Sequence, residues 1–183
     1  MRIITGSARG CRLKAPTGEE TRPTSDRARE ALFSMLGSRV PDAEVLDLFA
    51  GTGALALEAL SRGARHAVLI DRATYAILAE NACRTKLAAH AEIRRGDVFG
   101  QMAALVRARR TFDLIFADPP YAAGDGARVL GAVEPLLGTD GLFVLEQSAG
   151  EVVTEHTGAL RLVRERRYGA ARICFYERRE VQG

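Results

Sequence analysis

Val45-Leu46-Asp47-Leu48-Phe49-Ala50-Gly51-Thr52-Gly53-Ala54-Leu55 decides the fold of this 183-residue chain. Its first five residues are an apolar run of strand length, continuous enough to be buried on both faces. Ala50-Gly51-Thr52-Gly53 is a tight turn. A helical stretch over residues 54–62 follows, and Gly63 closes it. The same unit then repeats downstream. Ala67-Val68-Leu69-Ile70-Asp71 is a second strand with a helix over 75–87 behind it. A weaker third strand, Ala91-Glu92-Ile93-Arg94, ends at Gly96-Asp97 before a helix over 99–107. Phe112-Asp113-Leu114-Ile115-Phe116-Ala117 is the fourth strand, and it runs into Asp118-Pro119-Pro120-Tyr121. A helix from about 127 to 137 precedes a fifth strand over 141–146. Two last β-like runs, 160–168 and 171–178, are separated only by Gly169-Ala170. No crossover helix fits between them, so they pair antiparallel. Repeated β-α units with apolar strands predict an α/β protein with a mostly parallel sheet covered on both faces.

The N-terminal part reads differently. Arg2-Ile3-Ile4-Thr5-Gly6 and Cys11-Arg12-Leu13-Lys14-Ala15-Pro16 are extended stretches joined by Ser7-Ala8-Arg9-Gly10, with glycine at both edges of the joint. That pattern suits a hairpin. Thr24 or Ser25 can cap a helix whose apolar stripe is Ala28, Ala31, Leu32, Met35 and Leu36, and Gly37 can end it.

Composition excludes several classes. No apolar run is long enough to span a membrane, and the first residues lack the apolar stretch of a signal peptide. Cys11, Cys83 and Cys174 are odd in number and far apart, and His66, His90 and His156 are equally scattered. Neither a disulfide framework nor a metal site is expected, and the reading is a reduced cytoplasmic domain. The formal net charge of +3 is unevenly spread. Residues 1–39 hold eight basic and four acidic groups and residues 161–183 seven and three, whereas residues 40–160 hold eleven and sixteen. An acidic middle between two basic ends is the asymmetry of a chain whose ends meet a polyanion.

Ligands of such sheets sit beyond the strand C-termini, so the polar residues ending strands carry the chemistry. Gly51 and Gly53 let the backbone approach a ligand and open a helix whose N–H groups point at it. The third glycine of a dinucleotide fingerprint falls on Ala56, a tolerated variant, and Asp71 stands 24 residues after Asp47 at the next strand end, where an acid can bind ribose hydroxyls. To this point NAD and S-adenosylmethionine are both open. Asp47, inside the first strand just before the turn, would repel a pyrophosphate and suits a cationic cofactor without phosphate. Asp97 could accept a hydrogen bond from an adenine amino group. In Asp118-Pro119-Pro120-Tyr121, two prolines fix the backbone and leave carbonyls free. There Asp118 and the Pro119 carbonyl fit the two N–H groups of an exocyclic amine, and Tyr121 offers a face on which a base can stack.

With those residues in hand, the chain resembles the RsmD family of bacterial methyltransferases. The resemblance rests on Arg2-Ile3-Ile4 with Gly6 and Arg9-Gly10, and on Arg22-Pro23-Thr24 with Asp26-Arg27, Arg29-Glu30 and Leu32-Phe33. It continues through residues 46–55 and 57–64 and covers essentially the whole chain. It implies a Rossmann-like class I S-adenosylmethionine-dependent methyltransferase fold. Its sheet would be seven-stranded, mostly parallel with an antiparallel C-terminal strand, and preceded by a small N-terminal β-hairpin and helix. Residues 1–22 would be the RNA-contacting extension and 23–183 the methyltransferase domain.

The implied activity is methyl transfer to N2 of a guanine in 16S rRNA, guanine 966 in the family's rRNA numbering, within the small ribosomal subunit or an assembly intermediate. A monomer, without metal or membrane, is expected. Carried over by position, Asp47, Phe49, Ala50, Gly51, Gly53, Asp71, Asp97, Val98 and Asp118 would surround the cofactor, with Asp71 on the ribose and Asp97 on the adenine. Asp118, Pro119, Pro120 and Tyr121 would hold the guanine, and Arg2, Arg9, Arg12 and Arg22 would meet phosphates as bidentate donors. Asp71, Thr52 and Ala56 stand where the family often has Glu, Ser and Gly. The competing reading is methylation of adenine N6, whose enzymes share the Asp-Pro-Pro-Tyr motif; 183 residues leave little room for the target-recognition domain such enzymes add. Protein glutamine methylation is disfavoured because its motif carries Asn at the position of Asp118. A non-catalytic RNA-binding module is disfavoured by the intact motif, and an NAD-dependent oxidoreductase by Asp47.

Overall fold

A computed structural model describes residues 1–16, 26–120 and 124–179. Helix α1 (Asp26–Leu36) buries Ala28, Leu32, Phe33 and Leu36 on the expected stripe, with Arg29 beside them. Gly37 takes a φ of 50° and turns the chain out of the helix. The alternating units follow as β1 (Glu44–Leu48), α2 (Ala54–Ser61), β2 (His66–Asp71), α3 (Tyr75–Arg84) and β3 (Ala91–Arg95). Then come α4 (Val98–Arg107), β4 (Phe112–Ala117), α5 (Asp125–Ala132) and β5 (Leu137–Ser148). The chain finishes with β6 (His156–Thr157), β7 (Leu160–Tyr168) and β8 (Ala171–Arg178).

The eight strands of the described residues lie in one sheet, in the order β3-β2-β1-β4-β5-β8-β7-β6. The first five are parallel; β8 pairs antiparallel with β5 and with β7. The seven-stranded expectation is therefore one strand short. The addition is β6, two residues folded back on Leu160 and Arg161 through a turn at Gly158, whose φ is 53°. Two helices are shorter than their patterns suggested. Lys86 adopts a φ of 61°, so α3 stops at Arg84 rather than 87. Pro135 lacks the N–H a helix needs, and the chain beyond α5 passes into a single 3₁₀ turn, Glu134–Leu136.

Two hydrophobic clusters fill the faces. Leu32, Phe33, Leu57 and Leu78 from α1, α2 and α3 pack on Leu69, Phe116, Val144 and Phe175. On the other face Met102, Leu105 and Val129 from α4 and α5 pack on Leu46, Ile115, Phe143 and Tyr176.

The N-terminal segment forms a hairpin reduced to one bridge, Arg2 opposite Arg12, with Ile3 N–H donating to the Cys11 carbonyl (2.9 Å). It is fastened to α2 and α3. Buried Glu58 accepts hydrogen bonds from the Ile4 and Thr5 amides (2.7 and 3.0 Å), and Ser61 Oγ accepts one from the Ala8 amide (2.9 Å). Gly6 lies so close to α2 that a Cβ there would sit 1.7 Å from the Ser61 carbonyl oxygen. Buried Asn81 bonds the Lys14 backbone in both directions and donates to the Thr52 carbonyl (2.9 Å), which ties this segment to the glycine turn.

Candidate active site

The direction of strand order reverses between β1 and β4, the switch point at which sheets of this kind open a crevice beyond their strand C-termini. Gly51-Thr52-Gly53 leaves β1 on one side of it and Asp118-Pro119-Pro120 leaves β4 on the other.

The glycine turn uses its two glycines differently. Both have positive φ, 55° at Gly51 and 78° at Gly53. A Cβ at Gly53 would press on Leu78 Cδ2 at 2.9 Å and on Leu57 and Leu69, so this glycine serves packing. At Gly51 a Cβ would meet only the Phe49 carbonyl at 3.9 Å, leaving open room in front of the backbone for a ligand. Phe49 itself has a φ of 61°, a conformation costing a non-glycine residue about 1–3 kcal/mol. Its ring meets Phe99 edge-on at 6.3 Å, and the Arg128 guanidinium covers the Phe99 ring at 3.7 Å.

Asp71 is the pin of this end of the sheet. Its Oδ2 accepts the Gly51 amide (3.0 Å), and its Oδ1 accepts the Ala73 and Thr74 amides (2.8 and 2.9 Å). An ionised carboxylate offers about four acceptor positions, so one remains for a ligand hydroxyl. Asp97 caps α4 by accepting the Gly100 amide (2.9 Å) and is exposed, with Val98 buried behind it.

Asp47 is buried, and its Oδ2 accepts the Ala56 amide (3.1 Å) at the start of α2. Burial pushes its pKa up to about 7 against that hydrogen bond, and the Asp71 charge pushes the same way. Asp118 is raised further, first by burial and then by the negative charges of Glu146 and Asp47. Three carboxyls on neighbouring strands thus share one small volume. Uncompensated, that arrangement is costly; a positive charge in the crevice relieves it. The residues present therefore suit a cationic ligand. Among the described residues no group of three or more His, Cys, Asp or Glu is placed to hold a metal.

Pro119 is buried and Pro120 exposed at the tip beyond β4. The expectations for Tyr121 and Arg22 fall outside the described residues. Arg2 and Arg9 line a shallow cleft of about 340 Å³ with Arg27, Asp26 and Glu30; Arg2 pairs with Asp26 at 3.5 Å. Arg12 is exposed opposite Arg2.

Glu146, Phe99 and Arg128 were not singled out by the sequence. Glu146 had a signal: it is the one carboxylate ending the apolar run Leu142-Phe143-Val144-Leu145. Phe99 and Arg128 had none, because their contact joins the first turn of α4 to α5.

Residues 1–177 match the family model described as conserved hypothetical protein 95. YlbH of Bacillus subtilis (strain 168) is 36% identical, with 98% of this chain and all of that protein aligned. The ribosomal RNA small subunit methyltransferase D of Escherichia coli (strain K12) is 35% identical, over 100% of this chain and 92% of that one. Among solved structures, Escherichia coli yhhF superposes with a TM-score of 0.85 at 34% identity, covering 98% of both chains. Methyltransferases under 25% identical, among them one complexed with S-adenosylhomocysteine, share the fold at a TM-score of 0.69.

Proposed function

The chain belongs to the RsmD family, that of conserved hypothetical protein 95, and from that premise we propose that it methylates the exocyclic N2 of a guanine in small-subunit rRNA. The cofactor is S-adenosylmethionine, which supplies an electrophilic methyl group on a positively charged sulfur. The observation carrying the proposal is the convergence of Asp118-Pro119-Pro120 with buried Asp47 and Glu146 at the switch point.

Each part of the site then has a task. Gly51 gives the cofactor close access to the backbone, Asp71 keeps an acceptor for a ribose hydroxyl, and Asp97 with Val98 borders the adenine. Asp47, Asp118 and Glu146 ionise more readily opposite a positive charge. The Asp118 carboxylate and the Pro119 carbonyl accept the two N–H groups of the target amine, which turns the nitrogen lone pair toward the methyl carbon. Positioning of this kind supplies much of the acceleration of a two-substrate reaction. Once methylated, the nitrogen sheds one proton, and Asp118 is the acceptor beside it. Tyr121 gives the base a stacking face, and a base held in a helix must be splayed out to reach it. Arg2, Arg9, Arg12 and Arg22 hold flanking phosphates. The protein acts in the cytoplasm, as a monomer.

The test is to incubate the protein with labelled S-adenosylmethionine and either 16S rRNA, 30S subunits or DNA, and to map the methylated base. Label on guanine N2 of the rRNA is expected; label on adenine N6 in any arm overturns the assignment. Asp118→Ala should lower the transfer rate by about 100-fold or more, the scale on which removal of one transition-state contact acts. The variant should still bind S-adenosylhomocysteine, whose sulfur is neutral, as measured by calorimetry. Retained turnover would remove Asp118 from the mechanism.

A further inference from the structure

We propose that the β7–β8 hairpin is a second rRNA-binding element, gripping phosphates on the side of the active site opposite the N-terminal segment; this rests on the function proposed above. The observation is a row of arginines on an open sheet edge. β6 pairs only with Leu160 and Arg161, so among the described residues β7 has no strand beyond it from residue 163 to 168. Arg164, Arg166 and Arg167 are exposed along that stretch. The side chains of Arg164 and Arg167 make no hydrogen bond or ion pair among the described residues, and that of Arg166 reaches only the neighbouring Glu165 carbonyl (2.8 Å). The acid among them, Glu165, lies 3.9 Å from Arg172 on β8.

Position decides what this row can meet. The turn joining β7 to β8 lies at the catalytic end of the sheet: Ala171 pairs with Ser148, the last residue of β5, and Ala149 donates to the Ala170 carbonyl (2.8 Å). In register, Arg164 and Arg166 stand opposite Phe175 and Ile173, both in the cluster under α1. Arg164 also lines a cavity of about 220 Å³ with Met35 and Arg39 at the far end of α1. Helix α1 runs against the parallel strands. Arg39, just past its C-terminus, reaches the Asp140 carbonyl and Glu177 near the start of β5, so Asp26 lies at the catalytic end. The first turn of α1 lies beside Arg2 and Arg9, and the β7–β8 turn and the Asp-Pro-Pro tip lie at the C-terminal ends of β5 and β4.

Charge on an open strand edge also guards against edge-to-edge pairing, and mixed charges serve that purpose equally well. Here three arginines of one sign lie along six residues, with the intervening acid turned to Arg172. Arginine spaced along an extended strand is suited to phosphate oxygens, which it meets with paired donors. Charge complementarity therefore selects the polyanion the neighbouring site acts on.

The test compares Arg164→Glu/Arg166→Glu with a control of the same charge change at the opposite end of the sheet, Arg107→Glu/Arg109→Glu. Thermal melting and S-adenosylhomocysteine affinity report folding and the cofactor site, and both should match wild type in each variant. Affinity for a 16S rRNA fragment is then titrated against salt. The hairpin variant should bind about tenfold or more weakly at low salt, with its log–log salt slope reduced by roughly 1.5, the value for two lost phosphate contacts; the control should bind within twofold of wild type. Equal binding by hairpin variant and control overturns the proposal while leaving the function standing. A loss seen on 30S subunits but not on naked RNA overturns it in favour of contact with a ribosomal protein. A wild type that binds no RNA in any arm takes both readings down.

Discussion

Asp47 and Asp118 hold their protons to a higher pH in the folded protein than in the unfolded chain. The folded state therefore binds more protons wherever the pH lies between the two, and its stability falls as pH rises through that window. For the cofactor-free protein the window runs from the ordinary aspartate value near 3.8 to about 8. Urea denaturation at a series of pH values should show a midpoint that declines across it, with a shallower decline in Asp118→Asn. A midpoint that climbs between pH 5 and 8 would contradict the burial of these acids. The same logic predicts that a positively charged ligand expels protons on binding. Calorimetry near pH 7 in buffers of different ionisation enthalpy should report proton release with S-adenosylmethionine. Release should be smaller with S-adenosylhomocysteine, whose sulfur is neutral.

Elements were legible where periodicity and turn chemistry agreed. β1, β2, β4, β7 and β8 lie within a residue of their sequence reading, because apolar runs bounded by Gly, Asp or Pro leave little choice. Where the chain departs, the cause is local backbone geometry or a contact between distant segments. Lys86 at φ 61° is not announced by its residue type. Pro135 was a readable stop signal that the apolar pattern masked. β5 begins four residues before its expected start because Leu137 pairs with Phe112 ahead of an irregularity in register. In the site, Asp47 and Asp118 were readable as polar residues ending apolar strands, whereas the charge that Glu146 adds beside Asp118 depends on the alignment of β4 with β5. The N-terminal segment depends on one backbone position. Gly6→Ala would place a methyl group on the Ser61 carbonyl at a φ of 89°, a conformation that alone costs about 1–3 kcal/mol. The segment should lift from α2, seen as faster proteolysis within residues 1–16 and weaker RNA binding, with cofactor affinity retained. An undisturbed segment with unchanged RNA affinity would show that its seat on α2 is not needed for binding.

At the scale of the whole molecule, the mild net charge of +3 conceals a division of labour. The acidic middle of the chain supplies Asp47, Asp71, Asp118 and Glu146 to one crevice, and the basic ends meet at α1, with Arg2 and Arg9 beside its first turn and Arg164 beside Met35 in its last. The antiparallel seat of β8 has a different kind of consequence. Residues 142–148 of β5 find their outer partner only in residues 171–177, which are synthesised after them. Until then the strand carrying Glu146 shows a bare row of backbone donors and acceptors flanked by Phe143, Val144 and Leu145, a template for pairing with another chain. A chain cut after residue 158 should accordingly collect as aggregates, and a separate peptide of residues 159–183 supplied during refolding should restore solubility. The hairpin is thus the keystone of synthesis: every nascent copy carries a sticky, unfinished wall until residues 160–178 arrive.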